Sequence, residues 1–146
     1  MILSYFDSSV LLTILLEEER QEEAFNYWQN STRVSSILLK IETLMSLRRT
    51  YETNKKKLSN NWLSKKMKTM EEYLSSVYYM VLNDKIEREI FSRKELTQCR
   101  SLEAIHLATA LRFREINNND KETYLYTFDK KMHSLARDYN FKTNIL

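Results

Sequence analysis

The 146-residue chain contains no glycine and no proline, where average usage would supply roughly ten and seven. Every turn must therefore be built from residues that carry a Cβ and a backbone N–H, and left-handed backbone falls mainly to asparagine. Asparagines do gather where the hydrophobic patterning breaks, at Asn60 and Asn61, Asn83, Asn117 to Asn119, and Asn140. The same absence excludes whole classes of function. A G-x-x-x-x-G-K phosphate loop or a G-x-G-x-x-G nucleotide turn needs glycine for positive φ or close backbone approach, so neither exists here.

What remains is an alternation of short apolar runs with amphipathic stretches. Strands are expected at 2–6, 33–35, 79–82 (weak), 124–127 and 141–143, and helices at 8–19, 21–30, 37–51, 61–76, 85–97, 102–116 and 130–139, with a polar loop over 117–122. Ser36 is placed to cap the third helix, whose Ile37, Ile41, Leu44, Met45 and Arg48 recur at helical spacing beside Glu42. Strands alternating with helices imply an α/β fold, a mainly parallel sheet covered on both faces.

At this length residues 1–146 are expected to form a single domain with a sizeable core. The apolar fraction of 42% and charged fraction of 29% suit a soluble globular protein, and no apolar run is long enough to span a bilayer. The first residues lack a basic region ahead of their apolar segment, so no signal peptide is expected. One cysteine, Cys99, excludes an internal disulfide and points to a cytoplasmic setting, with the thiol read as inert. The formal charge of +3 is small but uneven. Glu17, Glu18, Glu19, Glu22 and Glu23 make an acidic segment, whereas 48–68 carries Arg48, Arg49, Lys55, Lys56, Lys57, Lys65, Lys66 and Lys68 against Glu52 alone. With Tyr51 and Trp62 this basic stretch is either a solvated face or a surface that follows a phosphate backbone and stacks a base.

Four acids stand where an α/β fold can gather them. Asp7 follows the first strand and Asp129 follows the strand at 124–127, and ligands of open parallel sheets bind outside the carboxyl ends of strands. Each has a structural alternative: Asp7 and Asp129 as helix N-caps, and Glu103 as a first-turn acid in a helix capped by Ser101. Glu42 sits mid-helix among apolar neighbours and needs a partner. Taken jointly, four converging carboxylates repel one another, and a hard divalent cation, Mg²⁺ or Mn²⁺, relieves that repulsion and leaves water positions open for a phosphodiester. His106 is read as a structural hydrogen-bonding residue and Met67, Met70, Tyr78 and Tyr79 as core or interface residues, while His133 carries no usable signal.

Four blocks resemble the PIN-domain ribonucleases, most closely the VapC-type toxins of VapBC toxin–antitoxin pairs: Tyr5-Phe6-Asp7-Ser8-Ser9, the run from Ser35 to Glu42, Ser101-Leu102-Glu103-Ala104-Ile105-His106-Leu107-Ala108-Thr109-Ala110-Leu111, and Thr127-Phe128-Asp129. The resemblance implies a PIN-like three-layer α/β/α architecture with a small sheet of about four to five strands. It also implies Asp7, Glu42, Glu103 and Asp129 as catalytic and metal-binding acids, with Ser8 and Thr127 in support. Its further implications are an RNA substrate, a VapB-like antitoxin whose C-terminal segment lies along the active-site groove, and a homodimer. Arg48, Arg49, Lys55, Lys56 and Lys57 are the residues expected to contact RNA or an acidic antitoxin tail. Glu103 departs from the aspartate usual in the family, which leaves a rival reading, a PIN-like binding module with weakened catalysis. A phosphoacceptor receiver domain ranks lower, because no acid pair closes the first strand.

Overall fold

The computed structural model describes residues 2–117 and 122–146. Asn118 and Asn119, and most of the polar loop, lie outside them. Among the described residues the order is β1 (Ile2–Phe6), α1 (Ser8–Leu15), α2 (Gln21–Gln29), β2 (Ser31–Ser36), α3 (Leu38–Thr53), α4 (Trp62–Leu74), β3 (Tyr78–Met80), α5 (Asp84–Ser92), a 3-10 turn (Lys94–Gln98), α6 (Ser101–Ile116), β4 (Tyr124–Tyr126), α7 (Lys130–Asp138) and β5 (Lys142–Thr143). All four strand pairings are parallel, in the order β3-β2-β1-β4-β5.

Strand residues alternate between two cores, as a pleat buried on both sides requires. Tyr5, Val34 and Leu125 pack with Leu107, Leu111, Met132 and Leu135 of α6 and α7. Their neighbours Phe6 and Tyr126 pack with Leu11, Trp28, Leu39, Leu47, Met70 and Leu74 of α1 to α4. Right-handed crossovers explain the division. The chain steps one way from β1 through β2 to β3 and lays α1 to α4 on one face, then returns past β1 to β4 and β5 and lays α6 and α7 on the other. The three layers expected from the sequence follow, and the strand order reverses between β1 and β4.

Several local readings shift. Helix α1 ends at Leu15, four residues short of expectation, where the Glu18 amide turns back to the Thr13 carbonyl (3.0 Å), and Lys66 of α4 donates to the freed Leu15 carbonyl (2.5 Å). Glu17 itself takes φ 53°, and with Asn140 (φ 64°) it is one of two positive-φ residues among those described. Asparagine thus ends α7 as expected, but elsewhere it caps helices at negative φ, with Asn83 Oδ1 accepting from the Lys85 amide at 3.1 Å. The helix expected over 85–97 breaks at Arg93, and the 3-10 turn that follows carries Leu96 into the core. Helix α3 is rotated from its expected stripe. Leu39, Thr43 and Leu47 face the sheet, while Ile37, Ile41 and Met45 stand exposed. Both sets recur every four residues, so spacing alone does not choose between them.

Candidate active site

Asp7 and Asp129 leave β1 and β4 on either side of the point where strand order reverses, the crevice where open parallel sheets bind ligands. Asp7 is 5% exposed. Its Oδ1 accepts from the Ser9 amide (3.2 Å) and the Ser9 hydroxyl (2.6 Å), and its Oδ2 accepts from the Thr127 hydroxyl (2.9 Å). The first contact is the N-cap bond of α1; the other two fix the carboxylate against the neighbouring strand. Burial pushes the Asp7 carboxyl up from 3.8 to about 6, against the opposing pull of His106, Ser9 and Thr127, and the charge of Glu42 adds a smaller upward push.

Thr127 ties this acid to the next. Its Oγ1 accepts from the Asp129 amide at 3.0 Å while donating to Asp7, and its own amide donates to Asn144 Oδ1 at 2.9 Å. The Ser9 hydroxyl accepts from the Phe128 amide at 2.8 Å. The end of β4 is thereby pinned to the start of α1 by side chains rather than by strand pairing.

Glu42 finds the partner its burial demands. His106 Nε2 lies 2.5 Å from Glu42 Oε1, and His106 Nδ1 lies 2.8 Å from the hydroxyl of fully buried Tyr5. Strand β1, helix α3 and helix α6 meet in this chain of contacts.

Glu103 and Asp129 serve the helices they begin. Glu103 accepts from the Arg100 amide at 2.9 Å, and Asp129 Oδ1 accepts from the Met132 amide at 2.8 Å. Ser101, expected as the cap of α6, is instead its first helical residue, with Arg100 before it. Both acids bear on half-buried Cys99, whose thiol is pushed up to about 11 by burial and by their charges, which keeps it the inert thiol expected.

By how they are held the four acids fall into two pairs, Asp7 and Glu42 by distant side chains and Glu103 and Asp129 by helix-end amides, and Thr127 links Asp7 to Asp129. Hard carboxylate oxygens, one of them buried and repelled by a second, are the donor chemistry Mg²⁺ or Mn²⁺ takes. Among the described residues, though, no three His, Cys, Asp or Glu side chains stand together as a group able to hold an ion. The donor set fits a divalent cation in kind, while Glu103 and Asp129 each give one oxygen to their own helix end. The basic residues Arg48, Arg49, Lys55, Lys56 and Lys57 are exposed. They begin partway along α3 and end in the turn after it, roughly 16 Å from Glu42 to the helix end at 1.5 Å per residue. Tyr51 and Trp62 stack on each other, with centroids 6.3 Å apart and planes at 13°.

Sequence reasoning missed the links between the acids. The serine on Asp7 is Ser9, one position beyond Ser8; a cap that accepts from the second helical residue's amide is the signal that points to it. Asn144 and the His106–Tyr5 contact join residues far apart in the chain and left no local pattern. The chain matches the PIN domain family model over residues 4–138. No curated protein matches it.

Proposed function

This chain belongs to the PIN domain family, whose members are generally nucleases, and from that premise we propose that it is a single PIN domain acting as a Mg²⁺- or Mn²⁺-dependent endoribonuclease, the toxin of a type II toxin–antitoxin pair. The observation that carries the reading is Asp7, a buried carboxylate at the reversal of strand order, held by Ser9 and Thr127 although burial opposes its charge. A buried carboxylate whose charge is opposed by burial, standing in a ligand crevice, is the pattern by which active-site acids are recognised.

Asp7, Glu42, Glu103 and Asp129 are the residues that would hold the cation. When bound, it supplies Lewis-acid polarisation of the phosphoryl oxygens and a more acidic water. The chain's own share is placement. Ser9 and Thr127 fix both oxygens of Asp7, and a carboxylate left free of the ion orients the attacking water and takes its proton. Water adds to phosphorus, the bond to one ribose oxygen breaks, and that oxygen leaves with a proton. An RNA that reaches both the acids and Lys55, Lys56 and Lys57 has to follow the length of α3, so the basic turn serves binding rather than the chemical step. The exposed Ile37, Ile41 and Met45 beside Glu42, and the exposed Val81, Leu82 and Phe91, are apolar surface open to a protein partner. Induced expression in a bacterial host should arrest growth, and Asp7→Asn at the same protein level should not; unimpeded growth with the unaltered chain removes the toxin role.

The second reading, a PIN-like RNA- or protein-binding module with weakened catalysis, is favoured by the engagement of Glu103 with the Arg100 amide. Glu103→Asp separates the two. A rise in cleavage marks a detuned nuclease, and silence in both forms marks the binding module.

A further inference from the structure

We propose that His106 is a positioning residue for Glu42, its Nε2–H holding the carboxylate toward the site while Tyr5 fixes the imidazole from behind. The proposal rests on the nuclease reading above and names a part of the site that the four acids leave unassigned. A carboxylate offers only acceptors, so the hydrogen in the 2.5 Å contact is on Nε2 whether the ring is neutral or cationic. Ring orientation is then fixed twice. The Tyr5 hydroxyl stands 2.8 Å from Nδ1, and the two rings pack edge to face with centroids 5.8 Å apart at 74°. A flipped imidazole would turn carbon toward both partners.

Burial grades along this chain of contacts in the sense that positioning needs. Tyr5 is fully enclosed, the His106 side chain is 2% exposed, and the Glu42 side chain is 19% exposed, so the rigid end lies in the core and the working end reaches the surface. Glutamate has several rotatable bonds, and a mid-helix Glu42 without this contact would sweep a wide arc. Its second oxygen remains for a ligand. His106 also follows Glu103 by three positions on α6, which places both on one helix face. The bland alternative is that His106 only satisfies the Tyr5 hydroxyl. Two substitutions separate these roles, because an asparagine amide reproduces the reach of Nδ1 and a glutamine amide that of Nε2.

The test is Mn²⁺ affinity by titration calorimetry together with kcat and KM for RNA cleavage, in unaltered protein, His106→Asn and His106→Gln, with metal-free thermal melts to follow folding. His106→Asn should keep a partner for Tyr5, melt near the unaltered protein, and lose about 10- to 100-fold in Mn²⁺ affinity and kcat with KM for RNA little changed. His106→Gln should retain most of both. Imidazole ¹⁵N shifts of the metal-free protein should show Nε2 protonated. If His106→Asn binds Mn²⁺ and cleaves as the unaltered protein does, or if the hydrogen lies on Nδ1 alone, the positioning role is overturned and the nuclease stands. If the unaltered protein neither binds Mn²⁺ nor cleaves RNA, the nuclease reading falls and the role falls with it.

Discussion

Asp7 and Glu42 are each held by a side chain distant in the chain, Thr127 and His106, whereas Glu103 and Asp129 spend a carboxylate oxygen on the amides of their own helix ends. At the first pair the donors are Ser9, Thr127 and His106, contributed by α1, the end of β4 and α6. At the second pair the donors are the amides of Arg100 and Met132, each three residues away in the chain. Local capping therefore accounts for Glu103 and Asp129 fully as structural residues and accounts for Asp7 only in part. Side-chain support from distant parts of the chain, Thr127 on Asp7 and His106 on Glu42, is what sets the first pair apart from the second.

Breaking the Asp7 side should have the largest effect. Asp7→Asn is expected to lower RNA cleavage by more than about a hundredfold, as displacement of a group near the reacting centre does. The same change should stabilise the metal-free fold. Asp7 titrates near 6 when folded, raised from 3.8, so the folded state binds this proton more tightly than the unfolded chain. The resulting stabilisation is complete below about 3.8 and is lost as pH rises through about 6. In denaturant melts with EDTA, the unaltered protein should fall behind Asp7→Asn as pH rises from 4, by up to about 3 kcal/mol at pH 8. A gap that stays constant with pH would mean that the Asp7 charge is not what strains the fold.

The Glu103 side should respond differently. Glu103→Ala removes the acceptor of the Arg100 amide and should cost about 1 kcal/mol in the same melts. Glu103→Gln keeps that bond and should hold stability while Mn²⁺ affinity drops, less than at Asp7. Equal affinity in Glu103→Gln and the unaltered protein would reduce Glu103 to a cap and leave the ion to the other acids. The mildest change is expected farthest from the acids. Replacing Lys55, Lys56 and Lys57 with glutamine should leave kcat intact, raise KM a few-fold, and flatten the dependence of log K on log salt by about 0.7 for each single-strand phosphate that these lysines neutralise. An unchanged slope would take the basic turn out of the RNA path.

The contrast between the pairs also explains what was legible in the sequence. The strands, the layers and the strand-end positions of Asp7 and Asp129 follow from period-two and helical patterning, which is local. The capping roles of Asp129 and Glu103 are readable for the same reason, though the first helical residue of α6 proves to be Ser101 rather than its cap. The buried face of helix α3 is not readable, because two apolar rows spaced by four residues compete, and only the packing of Leu39 and Leu47 on Phe6 and its neighbours decides which turns inward. The left-handed backbone at Glu17 is invisible in the sequence because glutamate carries no preference for it; the Glu18 amide closes back on the Thr13 carbonyl at 3.0 Å and sets it there. His106 reads correctly as a hydrogen-bonding residue, but its partners Tyr5 and Glu42 lie 101 and 64 positions away.

The most direct test of the nuclease reading is cleavage of a mixed pool of structured RNAs by freshly purified protein with Mn²⁺, Mg²⁺ or EDTA, beside Asp7→Asn. Discrete cuts with either metal, absent in EDTA and in Asp7→Asn, are the predicted result. RNA left intact by the unaltered protein with both metals, or cut equally by Asp7→Asn, would contradict a hydrolytic site built around Asp7.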